Sequence, residues 1–180
     1  VEQDPRITTI VLGKGEHLIE KGFTSGYRSL FITSALNIVG RPDVPKEKIL
    51  VLGGVSIMKR IQENCHLQHM TIRQAKMHGV HGLSPFTMED VIVEQCGFSG
   101  VVVDGTGIVA TCTNVEVREC RSNGVNAYNG GAMRLTGAKT TVHHNCTNGD
   151  SDSYGLTVCG SRSSTIELDS PLTKEQVSTH

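Results

Sequence analysis

Apolar and polar residues alternate along much of this chain. In the run VEVRECRSNGV, Val115 to Val125, Val115 and Val117 fall on one side of an extended backbone and Glu116 and Arg118 on the other. That period of two is expected of a half-buried strand. Cys120 then breaks the alternation, and Gly124 follows four residues later. The same order of residue types recurs as IRQAKMHGV (Ile72 to Val80), VEQCGFSGV (Val93 to Val101) and VHHNCTNG (Val142 to Gly149). Each copy has a β-branched anchor, two polar residues, one small or polar residue, three more, and then glycine. The anchors Ile72, Val93, Val117 and Val142 are 21, 24 and 25 residues apart, and each glycine lies seven residues after its anchor. A fixed internal spacing in four copies marks a repeat protein.

The period decides between repeat architectures. Helical repeats need about 33 to 47 residues, and leucine-rich repeats need a dense leucine pattern that is missing here. A period of 21 to 25 accommodates two or three short strands with turns. The first strand of each repeat is read in MTIRQ, VIVEQ, VEVRE and TTVHH, and the second in VHGL, VVVD and VNAY. A third is read in FTMED, VATCTN and AMRLTG. Three strands per turn, stacked in register, make a single all-β domain, a single-stranded parallel β-helix of about six or seven turns. The clear repeats span residues 64–168. Looser turns occupy 7–58, where RPDVPKEK (Arg41 to Lys48) reads as an excursion because Pro42 and Pro45 cannot sit in central strands. The polar tail 169–180 is expected to cap the open end of the coil.

In this register Val115 and Val117 point inward, while Glu116 and Arg118 point outward. Ile72, Val93, Val117 and Val142 form one inward column. Arg73, Glu94, Arg118 and His143 form an outward column whose charges alternate over three rungs, implying modest surface pairing. Gly124 is expected to free the backbone for a turn. Cys96 and Cys120 share a column with Ala75 and Asn145 and read as small buried thiols.

Composition removes several functions. The net charge of −1 offers no basic field for nucleic acid or anionic lipid, and 4% aromatic content with no Trp is too little for a base-stacking platform. No run of about 18 apolar residues exists to span a membrane. Six cysteines without a CxxC pair give no zinc spacing, so no metal or other cofactor is expected. Free thiols fit a reducing compartment and so favour an intracellular setting, though nothing else bears on location.

The run NVEVRECRSNGV and its relatives at Val93 and Val142 resemble right-handed parallel β-helix proteins of the pectin-lyase-like superfamily. ITTIVLGKGEHLI and LTKEQVST look, more narrowly, like β-helix repeat proteins of algae, other protists and their large viruses. The resemblance spans roughly Ile7 to Thr179 and implies fold more than activity, since this fold hosts lyases, hydrolases, epimerases and inert scaffolds. The superfamily's enzymes act on acidic polysaccharides with carboxylate clusters and characteristic strings, none of which occurs here. HGVHG (His78 to Gly82) is similar to a Gly-His-Gly motif but lacks paired aspartates in the preceding rung.

Three clusters remain as candidate chemistry. His66, His69, His78 and His81 precede Asp90, and the register stacks His69 on Asp90, with Asn114 and Lys139 continuing the column. A carboxylate beside an imidazole raises its pKa and orients it as a base. Tyr128 and Arg134, with Tyr154 nearby, could form a ligand-binding face that stacks on a sugar. Asp150 and Asp152 have Ca²⁺-loop spacing, but Tyr154 and Ser161 stand where further ligands are needed. The expected function is a non-catalytic binding or scaffold module for a polysaccharide or protein. The alternative is a polysaccharide lyase, hydrolase or epimerase with a divergent site at His69 and Asp90.

Overall fold

The structure, a computed structural model, describes residues 7–20, 28–149, 153–160 and 163–179. The first rung comprises β1 (Thr9–Leu12), β2 (Gly15–Leu18) and β3 (Ser29–Ile32). The second comprises β4 (Asn37–Gly40), β5 (Ile49–Leu52) and β6 (Gly54–Ile57). Two long strands follow, each completed in its rung by a short one: β7 (Cys65–Arg73) and then β8 (Val80–Gly82), β9 (Phe86–Glu94) and then β10 (Val101–Asp104). The fifth rung is β11 (Val109–Thr113), β12 (Glu116–Arg118) and β13 (Val125–Tyr128). The sixth is β14 (Ala132–Thr136), β15 (Thr141–His143) and β16 (Leu156–Cys159). The chain closes with β17 (Thr165–Leu168), the single helical turn α1 (Lys174–Val177) and β18 (Ser178–Thr179).

Equivalent strands stack in parallel into three sheets. The first runs β1-β4-β7-β9-β11-β14-β17, the second β2-β5-β7-β9-β12-β15-β18, and the third β3-β6-β8-β10-β13-β16. Six rungs stack through five steps, so the protein is a parallel β-solenoid of about five turns, slightly fewer than the six or seven that the period implied. Dividing length by period ignores the excursion at 41–48 and the widened loop after β15, which use residues without adding a rung, and the tail, which adds only part of one.

β7 and β9 each serve two sheets because one residue in the middle bends the strand. His69 and Asp90 have φ of 55° and 52°, and Asn114 repeats the bend with φ 52° between β11 and β12. A second ladder of left-handed residues, Gln74, Gln95, Glu119 and His144, turns the chain toward the third sheet. Each such non-glycine residue costs about 1–2 kcal/mol. Stacking identical bends lets the inter-rung hydrogen bonds continue around both corners, which offsets that strain.

The repeat glycines have a different purpose from the one expected. Gly79, Gly100 and Gly124 are not left-handed; a Cβ on each would overlap the Cγ1 atoms of Val93, Val117 and Val142, respectively. They are glycines because the next rung's valine fills their space. Gly149 is not the fourth member, for its Cβ would meet nothing within 4 Å. Gly155 takes that place, accepting the Val125 N–H at 2.8 Å.

The inward column is as expected. Ile72, Val93, Val117 and Val142 pair in register and are all 0% exposed. Cys96 and Cys120 are also fully buried. A shared hydrogen bond with Cys120, reinforced by burial, pushes the Cys96 thiol far up. Asn145 ends this stack by accepting the Cys120 N–H at 3.1 Å and donating to the Val117 carbonyl at 2.9 Å. The tail closes the far end, and it does so with its apolar residues: Leu172 and Val177 join the core, while β18 pairs with β15.

Candidate functional site

The corner between the first and second sheets brings His69 and Asp90 together, as the register required. His69 Nδ1 lies 2.6 Å from Asp90 Oδ2. The excursion at 41–48 folds over the same corner. Lys46 Nζ reaches Asp90 Oδ1 at 2.6 Å, His69 Nε2 meets the Val44 carbonyl at 2.8 Å, and Thr71 donates to the Lys46 carbonyl at 3.0 Å. A carbonyl only accepts, so Nε2 carries a proton, and Nδ1 facing a carboxylate is favoured when it carries one too. Burial pulls the His69 pKa down, but the Val44 carbonyl and then Asp90 outweigh it, and the net shift is upward. Burial likewise works to raise the Asp90 pKa, while hydrogen bonds from Lys46 and His69 hold it below the ordinary carboxylate value.

A general base needs a free nitrogen lone pair. His69 has neither nitrogen free in this arrangement. The cluster instead clasps the excursion to the wall of the coil. Asn114 continues the column, but Gly137, with φ 84°, takes the next left-handed position. Two extra residues then carry Lys139 to an exposed site, where its backbone N–H donates to Asn114 Oδ1 at 3.3 Å. His66 is hydrogen-bonded through Nδ1 to Thr87 Oγ1 at 2.7 Å and stays apart from the cluster.

The tyrosine and arginine candidates do not share a face. Tyr128 ends β13 in the third sheet, whereas Arg134 lies on β14 in the first and pairs with Asp169 at 2.8 Å. The left-handed Asn129 and Gly130 turn the chain between them. Tyr154 is exposed at the opposite end of the third sheet's strands, its N–H donating to Asn123 Oδ1 at 2.8 Å. Asp150 and Asp152 lie outside the described residues. Among the described residues, no group of three or more His, Cys, Asp or Glu is placed to hold a metal ion, and no helix is long and apolar enough to cross a membrane.

A second concave region had no sequence signal beyond the string HGVHG. The outward face of the third sheet stacks Phe31, Ser56, His81, Val102, Asn126 and Thr157 in one column. The turn after β7 rises beside this floor and makes a groove of about 260 Å³, lined by Arg28, Phe31, Ser56, Met77, His78 and His81 among others. His78 packs edge-on against Phe98 at 5.2 Å and lies 5.3 Å from the His81 ring. His81 Nε2 faces Asp104 at 3.5 Å. The Nδ1 atom of His78 is buried without a hydrogen-bond partner. Burial first, and His81 second, pull the His78 pKa down to about 4, so this imidazole is neutral at pH 7.

The described residues thus form a parallel β-solenoid with a closed ionic clasp at one corner and an open, largely uncharged groove on the third sheet. No family model, no curated protein and no solved structure matches the chain.

Proposed function

We propose that this β-solenoid is a non-catalytic binding or scaffold module of the pectin-lyase-like kind, presenting the outer face of its third sheet to a glycan or a protein. The observation that supports this reading is the exposure of Phe31, Met77, Phe98 and Tyr128, between 39% and 48%, beside a floor with few charges. Exposed aromatic and thioether side chains around a concave surface are the usual material of recognition sites. The alternative, a carbohydrate-active lyase, hydrolase or epimerase, draws on the short His69–Asp90 contact. A lyase or epimerase must stabilise a carbanion beside a carboxylate using a cation or metal together with a free base. Both His69 nitrogens are engaged as N–H donors, to Asp90 and to the Val44 carbonyl, which leaves no lone pair for a base and weighs against that chemistry.

The test pairs a glycan-array screen with assays for reducing ends and unsaturated uronides. Binding without turnover of pectate, alginate or polygalacturonate, with or without Ca²⁺, is the expected result. Ultraviolet absorbance from an unsaturated uronide above a heat-killed control, lost in His69→Ala, would replace the binding reading with the enzymatic one.

A further inference from the structure

The groove beside the third sheet has a more specific chemistry than the face around it. Among the described residues, none of the nine that line it is acidic, and Arg28 is the one formally charged member. Arg73 and Arg118 share Glu94, and Arg134 has Asp169. Arg28 has no ion-pair partner among the described residues. Asp104, the carboxylate beside His81, is already engaged by His81 and by Asn129 Nδ2 at 3.0 Å.

Next to Arg28, the hydroxyls of Ser29 and Ser56 lie 2.9 Å apart. One of the two protons fills their mutual bond, which leaves one O–H free to donate into the groove. Of the other walls, His78 and His81 are polar, whereas Phe31 and Met77 are apolar and 44% and 43% exposed, a large area to leave in water. At about 260 Å³ the space falls below the ~300–1,000 Å³ of drug-sized sites. It suits one ring and not a polymer segment.

We propose that this groove binds a small aromatic monocarboxylate, with the carboxylate on the Arg28 guanidinium and the free serine hydroxyl and the ring between Phe31 and Met77. A planar guanidinium and one hydroxyl supply the donors that two carboxylate oxygens need. A phosphate dianion would bring more charge and more acceptors than these groups can serve. A sugar acid offers the same carboxylate but a polar ring, which the thioether and phenyl walls do not reward. Such a site can exist whether or not a glycan also binds this face, so the two readings fail separately.

The experiment is a titration of the full chain, followed by backbone amide NMR, with benzoate, benzyl alcohol and glucuronate in separate arms. Benzoate should shift the amides of Ser56, Met77 and His81 saturably. Benzyl alcohol, which lacks the charge, should bind about tenfold more weakly or less, and Arg28→Gln should weaken benzoate by about the same factor. Ser56→Ala, a small change that keeps the coil's spectrum, should reduce affinity by a smaller factor. Equal binding of benzyl alcohol, tighter binding of glucuronate, benzoate shifts centred elsewhere, or no saturable shift at millimolar benzoate would each overturn the assignment.

Discussion

The outer faces of the second and third sheets belong to the same coil and share one core, yet they use their polar residues in opposite ways. On the second sheet, Glu94 receives Arg73 at 2.6 Å and Arg118 at 2.7 Å, and Arg118 also holds Glu116 at 2.6 Å. This column was expected to be modest surface pairing, but the Glu94 side chain is only 4% exposed. Two guanidinium groups cover it and remove it from water. The ladder ties one rung to the next and leaves little chemistry to offer. On the third sheet, the matching positions carry Phe31, Ser56, His81, Val102, Asn126 and Thr157, with no alternation of charge. One buried polar atom beside each face has no partner, Arg73 Nε on the second sheet and His78 Nδ1 next to the third, so the difference lies in the charged ladder itself. In a solenoid the inside is dictated by stacking, so a face that is not spent on holding rungs together is the one free to bind.

The largest effect should come from breaking the core that both faces share. Val117→Asp places an unpaired carboxylate in a column that is 0% exposed. Such burial costs about 4 kcal/mol or more, so the coil should fail to fold cooperatively, as read by circular dichroism and thermal unfolding. A melting temperature within a few degrees of the parent would contradict the register.

A smaller effect should separate the two faces. Glu94→Ala leaves two arginines without their shared partner. Since both are about one-third exposed, they can recover hydration, and the loss should be about 2 kcal/mol instead of the full buried-pair cost. Asn126→Ala, at an outward position on the third sheet, should change stability by about 0.5 kcal/mol or less. Urea denaturation of the two variants checks the contrast, which collapses if their midpoints move equally.

The third effect is pH-dependent and distinguishes the two histidine environments. The His78 pKa falls from 6.5 to about 4 on folding, so between those values the unfolded chain binds the extra proton. Stability should therefore decline as pH drops from about 6.5 toward 4, by about 2–3 kcal/mol in total. His69 has the opposite sign. Its pKa is raised on folding, so its contribution is complete below the unfolded value and is lost as pH rises through the folded one. His78→Phe should flatten the acid limb of the stability profile and leave the alkaline side unchanged. An unaltered acid limb would show that His78 is not held neutral by burial.

Much of this architecture was legible in the residues. The spacing of Ile72, Val93, Val117 and Val142 identified the rungs, and alternation around them identified inside and outside. The stacking of His69 on Asp90 followed from the same register. The purpose of Gly79, Gly100 and Gly124 did not, because a turn and a steric vacancy both demand glycine, and only the position of the next rung's valine tells them apart. The face proposed for Tyr128, Arg134 and Tyr154 failed for a related reason. Closeness in sequence across a corner does not bring side chains onto one surface when left-handed residues rotate the chain between sheets.

Residue order is enough to specify what repeats: a strand period of two, a rung period of 21 to 25 residues, and a core of β-branched residues and thiols. These are local and near-neighbour properties, and each rung reads them from its own residues and from the rung beside it. Tertiary structure alone decided which nitrogen of which histidine was free. Lys46 and Val44 lie some 25 to 45 residues before the groups they engage. Only the folded excursion converts an apparent acid–base pair into a closed clasp. The groove was decided the same way. Arg28, Ser56 and Met77 come from three successive rungs, and no periodicity announces that the described residues leave the space between them unfilled.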